Sequence, residues 1–163
     1  MKEDEIVIRY KAENKGRINL FSDEFVKRNL NICKIKINNE IVNLISYYDY
    51  SENQNNFIEI KLIGVNSIID ASQMFYKCNS LLSVDCSSWN TKKLRNMNSM
   101  FNWCKSLKTI NNISHFDTSN VQDMSLLFNR CVSLSSIDDI SKWNTSKVKD
   151  ISLMFSECKN LSK

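Results

Sequence analysis

The chain has 163 residues, room for one ordinary domain or for a small domain joined to a short repeat array. Its 42% apolar and 25% charged content is that of a soluble globular protein, and no segment approaches the roughly 20 apolar residues that cross a bilayer. A net charge of +4 falls short of the dense basic stripe that nucleic acid requires, so no nucleic acid is expected as a partner.

The charge excess lies in the second part: residues 1–64 carry 10 basic and 10 acidic side chains, residues 65–163 carry 12 and 8. Two glycines and no proline leave turns to asparagine, which tolerates left-handed backbone better than other side chains, and leave no glycine-rich phosphate loop. Met1 to Lys15 contains no signal-peptide core, so the expected location is cytoplasmic by default.

Along residues 1–64 the pattern predicts a small α+β domain. Glu5–Tyr10 and Arg17–Phe21 are β-rich runs around a polar turn containing Gly16, which predicts a hairpin. A helix follows, with Ser22 as N-cap, Asp23 and Glu24 at its positive end, and Val26 and Leu30 one turn apart. Cys33–Ile37 alternates, Asn38-Asn39 turns and Ile41–Leu44 returns, a second hairpin. Polar Ser51–Asn56 is a loop, and Phe57–Leu62 alternates as a last strand. The element order loosely resembles a β-grasp fold.

Residues 65–163 repeat themselves. Met74-Phe75-Tyr76-Lys77-Cys78 returns as Met100 to Cys104, Leu127 to Cys131 and Met154 to Cys158, the phenylalanines 26, 27 and 27 residues apart. Other stations keep step: Ile68, Leu94, Val121 and Val148; Leu81, Leu107, Leu134 and Leu161; Trp89, Phe116 and Trp143. The spacing from Met124 to Cys131 predicts a short helix starting at Asp123 or Ser125, and the following Leu-x-x-Ile segment predicts a brief strand. One unit cannot bury its own apolar side, so neighbours must stack. The fold expected is therefore α/β: a leucine-rich-repeat-type solenoid of about 26–27-residue units, three complete and a fourth truncated after Leu161, behind an N-terminal cap. The open fourth unit should be covered by another molecule or drive self-association.

The run Trp143 to Phe155, followed by Cys158 and Leu161, resembles the BspA-like leucine-rich repeats, and residues 1–64 are similar to the small leader domain that can precede them. The resemblance implies a recognition or adhesion protein, often at a cell surface.

No residue pattern points to an enzyme or a cofactor. Cys78, Cys104, Cys131 and Cys158 share one packing station, Cys86 replaces the Ile113 and Ile140 of other units, Cys33 begins a strand, and no Cys-x-x-Cys pair exists; all six are expected as free thiols, not metal ligands. His115 is the only histidine and falls where other units carry Ser88 or Lys142, a surface position. Asn90-Thr91, Asp117-Thr118 and Asn144-Thr145 recur at one corner as Asx turns. Function is left to the inconstant positions, which are expected to bind a protein. Lys92, Lys93, Arg95, Lys147 and Lys149 should line one edge as a basic strip open to an acidic partner, with Ser119, Asn120 and Gln122 between them. Asp85, Lys108, Ser136 and Asp139 are expected on a concave face. Trp103, equivalent to Lys77, Arg130 and Glu157, is expected as an exposed interface aromatic. The alternative is a cell-surface adhesion protein or a fragment of one.

Overall fold

Alternation of apolar and polar side chains makes Glu5–Lys11 (β1) a strand with Ile6, Ile8 and Tyr10 buried on one face. The computed structural model describes residues 4–12, 16–51 and 56–162. In chain order the further elements are β2 (Gly16–Asn19), α1 (Asp23–Asn29), β3 (Lys34–Ile37), β4 (Glu40–Asn43), β5 (Tyr47–Tyr50), β6 (Phe57–Ile63), β7 (Leu81–Asp85) and β8 (Thr109–Asn111). Six strands form one mixed sheet in the order β4-β3-β6-β1-β7-β8, with only β7 and β8 parallel; β2 and β5 form a separate antiparallel pair.

Two local expectations hold. Ser22 caps α1, its Oγ accepting from the Phe25 N–H at 3.2 Å, with Asp23 and Glu24 in the first turn and Lys27 and Arg28 in the last. β3 and β4 pair around Asn38 and Asn39, whose φ of +50° and +66° are those of a type I′ hairpin turn. The first hairpin does not form. β1 takes β6 on one side and β7 on the other, while β2 pairs with β5, a strand the sequence pattern leaves unmarked. Parts of the turn and loop expected near Gly16 and at 51–56 lie outside the described residues.

The expected α/β leucine-rich-repeat solenoid is corrected by this architecture. The protein is a compact, mostly β body built on a six-stranded sheet, and among the described residues its only α-helix is α1, of 7 residues. Residues 1–64 do not close an α+β, β-grasp-like sheet of their own, because central strand β1 has β7 of the repeat region as a neighbour. Nor, among the described residues, does a repeat unit contain an α-helix; its one helical segment is the 3₁₀ turn Ile113–His115. Between Met124 and Cys131 the chain makes overlapping turns closed by i→i−3 bonds such as Asn129 N–H to Leu126 C=O at 3.1 Å. A right-handed helix cannot form there for two reasons. Leu126 and Arg130 have φ of +57° and +60°, and equivalent pairs recur at Gln73 and Lys77, Ser99 and Trp103, Leu153 and Glu157. In addition, alternate N–H groups leave the unit altogether: those of Met97, Ser99, Phe101 and Trp103 donate to the carbonyls of Asp123, Ser125, Leu127 and Asn129 at 2.9 Å. The same four-bond step joins the first unit to the second and the third to the fourth. These bonds offset the roughly 1–2 kcal/mol that each left-handed residue costs. Of the predicted brief strands, those after the first two phrases form, as β7 and β8.

The units pack through a column of rings. Phe21, Phe75, Phe101, Phe128 and Phe155 follow one another with centroids 5.5, 5.4, 5.6 and 5.2 Å apart. Phe21 begins the column from the N-terminal side, where the Ser22 N–H donates to the Met74 carbonyl at 3.1 Å and the Arg28 guanidinium to the Ser72 carbonyl. The first unit is thus capped on both its apolar and its polar atoms.

Candidate interaction surface

The basic strip is assembled by backbone register. The Arg95 N–H donates to the Ile69 carbonyl, Gln122 to Arg95 and Lys149 to Gln122, each at 2.8 Å. Consecutive stations of this kind lie about 4.8 Å apart. Arg95, Gln122 and Lys149 therefore form one row, and all three are exposed. A second row runs beside it: Asn120 donates to the Lys92 carbonyl at 3.0 Å and its Oδ1 accepts from Lys147 Nζ at 2.8 Å. Lys92, Lys93 and Lys147 are exposed as well. Among the described residues, no carboxylate forms an ion pair with Lys92, Lys93, Arg95, Lys147 or Lys149.

The corner below these rows is rigid for reasons legible in its composition. Oδ1 of Asn90, Asp117 and Asn144 accepts from the backbone N–H two residues on, at 3.2, 3.0 and 2.9 Å. Thr91 and Thr118 hydroxyls then donate to the Asp117 and Asn144 carbonyls of the next unit, at 3.3 and 3.1 Å. The Asp117 carboxyl is held below the usual range chiefly by its Ser119 hydrogen bonds, with Lys92 and Lys147 adding to the effect. A second Asx station, which the sequence reading did not single out as one, serves the turns on the other side: Asp70, Asn96, Asp123 and Asp150 each cap the N–H two residues on, at 2.8–2.9 Å, and bridge one another in parallel.

The remaining candidates are scattered. Trp103 is half-buried, not exposed: its left-handed φ of +65° turns it along the edge, where the Arg130 guanidinium lies 4.3 Å and Lys105 Nζ 5.0 Å from its ring centroid. Arg130 and Lys105 are the contributors missed from sequence, although Arg130 occupying the Trp103 station one unit on was a signal. Lys108 is exposed and shares a shallow groove with Lys11, Phe57 and Leu82. Asp139 is exposed, but its carboxylate accepts from the Ser141 N–H at 2.9 Å, which holds its pKa below the ordinary value. The Asp85 carboxylate accepts from the Ser87 N–H at 2.9 Å and from the Asn112 amide at 3.0 Å, and Ser136 is exposed. No hydrogen bond or ion pair joins Lys108 to Asp139 among the described residues.

The sulfurs belong to the core. All six cysteines are free and only Cys158 is more than marginally accessible. Cys104, Cys131 and Cys158 thiols donate to the carbonyls of Phe75, Phe101 and Phe128 in the preceding unit, at 3.0, 3.0 and 2.9 Å. Burial pushes the Cys33 thiol up to about 12 and also raises those of Cys78, Cys86, Cys104 and Cys131. Such thiols are not nucleophiles at neutral pH. Among the described residues no group of three or more His, Cys, Asp or Glu could hold a metal, His115 is exposed, and no helix is long and apolar enough to cross a membrane.

The stacked units coincide with a known sequence family. The model of the family described as "Mycoplasma protein of unknown function, DUF285" matches residues 69–163, more than half of the chain. The chain belongs to this family. The DUF285 match takes in all four Phe-x-x-Cys phrases and the whole basic strip, and begins just after the 3₁₀ turn Val65–Ser67 that leads out of β6. No curated protein and no solved structure matches the chain.

Proposed function

We propose that the protein is a non-enzymatic interaction module that binds an acidic protein segment along the edge carrying Lys92, Lys93, Arg95, Lys147 and Lys149. The observation that carries this reading is the register itself: cations from separate repeat units stand in adjacent rows, exposed and, among the described residues, in no ion pair with a carboxylate. Surface cations that served only stability would be expected to meet acids, as Arg9 meets Glu59 and Lys61 meets Glu5 on the sheet. A row of such charges raises the local concentration of an anionic partner and fixes its direction. The aromatic and cationic edge at Trp103, Lys105 and Arg130 supplies the kind of side chains enriched in binding hot spots.

Charge reversal tests it. With a fluorescent Glu-rich peptide at low salt, the parent chain should bind and the variant Lys92→Glu, Lys93→Glu, Arg95→Glu, Lys147→Glu, Lys149→Glu should bind at least about tenfold more weakly. Its melting temperature should stay close to that of the parent, because all five side chains are exposed. Equal affinity of parent and variant would remove the basis of the proposal.

A further inference from the structure

A cleft of about 420 Å³ lies between the β2–β5 pair, the start of α1 and the first repeat unit. That volume is within the roughly 300–1,000 Å³ of small-molecule sites. Its walls come from parts of the chain far apart in sequence: Asn19 and Tyr47 from the strand pair, Ser22 and Asp23 from the start of α1, Gln73 and Tyr76 from the repeat. Tyr47 is 44% exposed, and the Arg17 guanidinium, tied to Asp49 at 3.1 Å, lies 3.9 Å from its ring centroid. An arginine stacked in this way covers one face of the ring and holds it in place. Tyr76 departs from the repeat. Its station in the next two units holds Asn102 and Asn129, which are buried and hydrogen-bonded to each other at 3.1 Å. The coil itself therefore does not demand an aromatic there.

We infer that this cleft binds a short neutral carbohydrate, packed against the two tyrosines and held by side-chain hydrogen bonds. Its polar groups are of mixed character. The amides of Asn19 and Gln73 and the hydroxyls of Ser46 and Tyr76 can each donate and accept, and none of these side chains makes a hydrogen bond among the described residues. A cationic ligand would leave the amide and Arg17 donors unmet, and an anion would meet the carboxylates of Asp23 and Glu24 on the rim. A sugar hydroxyl donates and accepts at one atom, so a row of them satisfies both kinds of group. Tyrosine suits the remaining surface of such a ligand, because it offers an apolar ring beside a polar tip.

A peptide added as a strand fits the cleft less well, because the main-chain donors beside it are already used. The Leu20 and Phe21 N–H groups donate to the Ser46 carbonyl at 2.8 and 3.2 Å, and Ser22 donates to Met74 at 3.1 Å. Gln73 donates to Asn98 at 2.9 Å and Tyr76 to Gln73 at 3.0 Å. Strand addition draws its affinity from groups of this kind, so recognition here is left to side chains. The cleft shares no residue with the basic strip, and the two sites stand independently.

The experiment adds cellobiose, maltose, lactose and N,N′-diacetylchitobiose, each up to about 50 mM, to the isotopically labelled full chain. At least one of them should shift the amide resonances of residues 17–24, 46–47 and 73–76 together and to saturation. Tyr47→Ala and Tyr76→Asn should each weaken binding of that sugar at least about tenfold. Tyr76→Asn installs the residue that the second and third units carry at this station, and Tyr47 is exposed, so both variants should keep the melting transition of the parent. No shift at these residues with any of the sugars, or unchanged affinity in both variants, would overturn the inference. Tighter binding of tetramethylammonium than of every sugar would overturn it as well, by making the cleft an aromatic cage for a cation.

Discussion

Stability should fall steeply as pH rises from about 8.5 toward 10, before most lysines lose their charge. Five thiols, Cys33, Cys78, Cys86, Cys104 and Cys131, are buried, and desolvation raises the pKa of each in the folded state. In the unfolded chain they ionise near their ordinary value of about 8.5. Below that pH both states hold the proton and nothing is lost. Above it the unfolded chain binds fewer protons than the folded one, so stability falls as pH rises, and keeps falling until the folded thiols ionise. Each such thiol lowers stability by on the order of 1 kcal/mol per pH unit in this range, so five together remove several kcal/mol, a sizeable part of the stability of a typical domain. Buried Tyr10, whose pKa is also raised by burial, pushes in the same direction at the upper end. Urea unfolding at pH 7, 9 and 10 in reducing buffer measures the effect. The double variant Cys104→Ala, Cys131→Ala should lose about two fifths of the pH dependence, and a flat profile in the parent would mean that the thiols are not held in the core.

Phe101→Ala should be the most damaging single truncation in the ring column. Phe101 is fully buried and stacked on both faces, by Phe75 at 5.4 Å and Phe128 at 5.6 Å. Removing a buried Phe costs about 3–5 kcal/mol, part lost transfer energy and part cavity. The cavity has little chance to collapse here, because the four hydrogen bonds on either side of the unit fix the spacing of its neighbours. Phe155→Ala, with one partner and one open face, should cost about 1–2 kcal/mol. Because β1 joins the repeat strands to the N-terminal ones, the loss should move a single transition. Tryptophan fluorescence, which reports on Trp89, Trp103 and Trp143 in the repeats, and far-ultraviolet dichroism should shift together. Separate midpoints, or equal costs at Phe101 and Phe155, would contradict the capped and stacked arrangement.

Local chemistry was the legible part of this fold. Ser22 and its two following acids announced α1, and Asn38-Asn39 between alternating runs announced the β3–β4 hairpin, because caps and tight turns depend on residues that are neighbours in sequence. The corner Asx turns could be read from their recurrence, as could the buried state of Cys78, Cys104 and Cys131, though Cys158 of the same station is only half-buried. Pairing of β1 with β7, about 75 residues away along the chain, leaves no such mark. The misread helix has a specific cause. Apolar residues three and four apart suit a helical face, but they also suit overlapping turns that return a side chain to the core every third or fourth residue. The left-handed positions that separate the two cases carry Gln73, Lys77, Ser99, Trp103, Leu126, Arg130, Leu153 and Glu157, not glycine, so the usual signal is missing. Trp103 follows from the same geometry. Its station was read as exposed because its equivalents are charged, whereas stacking brings the Arg130 of the next unit over its ring.

The rows of the basic strip come from register alone, so the most direct test of the functional account asks where an acidic segment lands. Adding a Glu-rich peptide to the isotopically labelled chain at low salt should perturb the amide resonances of residues 92–95, 119–122 and 146–149 together, and the perturbations should fade as salt is raised. Perturbations centred instead on the sheet lysines Lys36 and Lys61, or none at peptide concentrations up to about 1 mM, where binding would be weaker than about −4 kcal/mol, would contradict it.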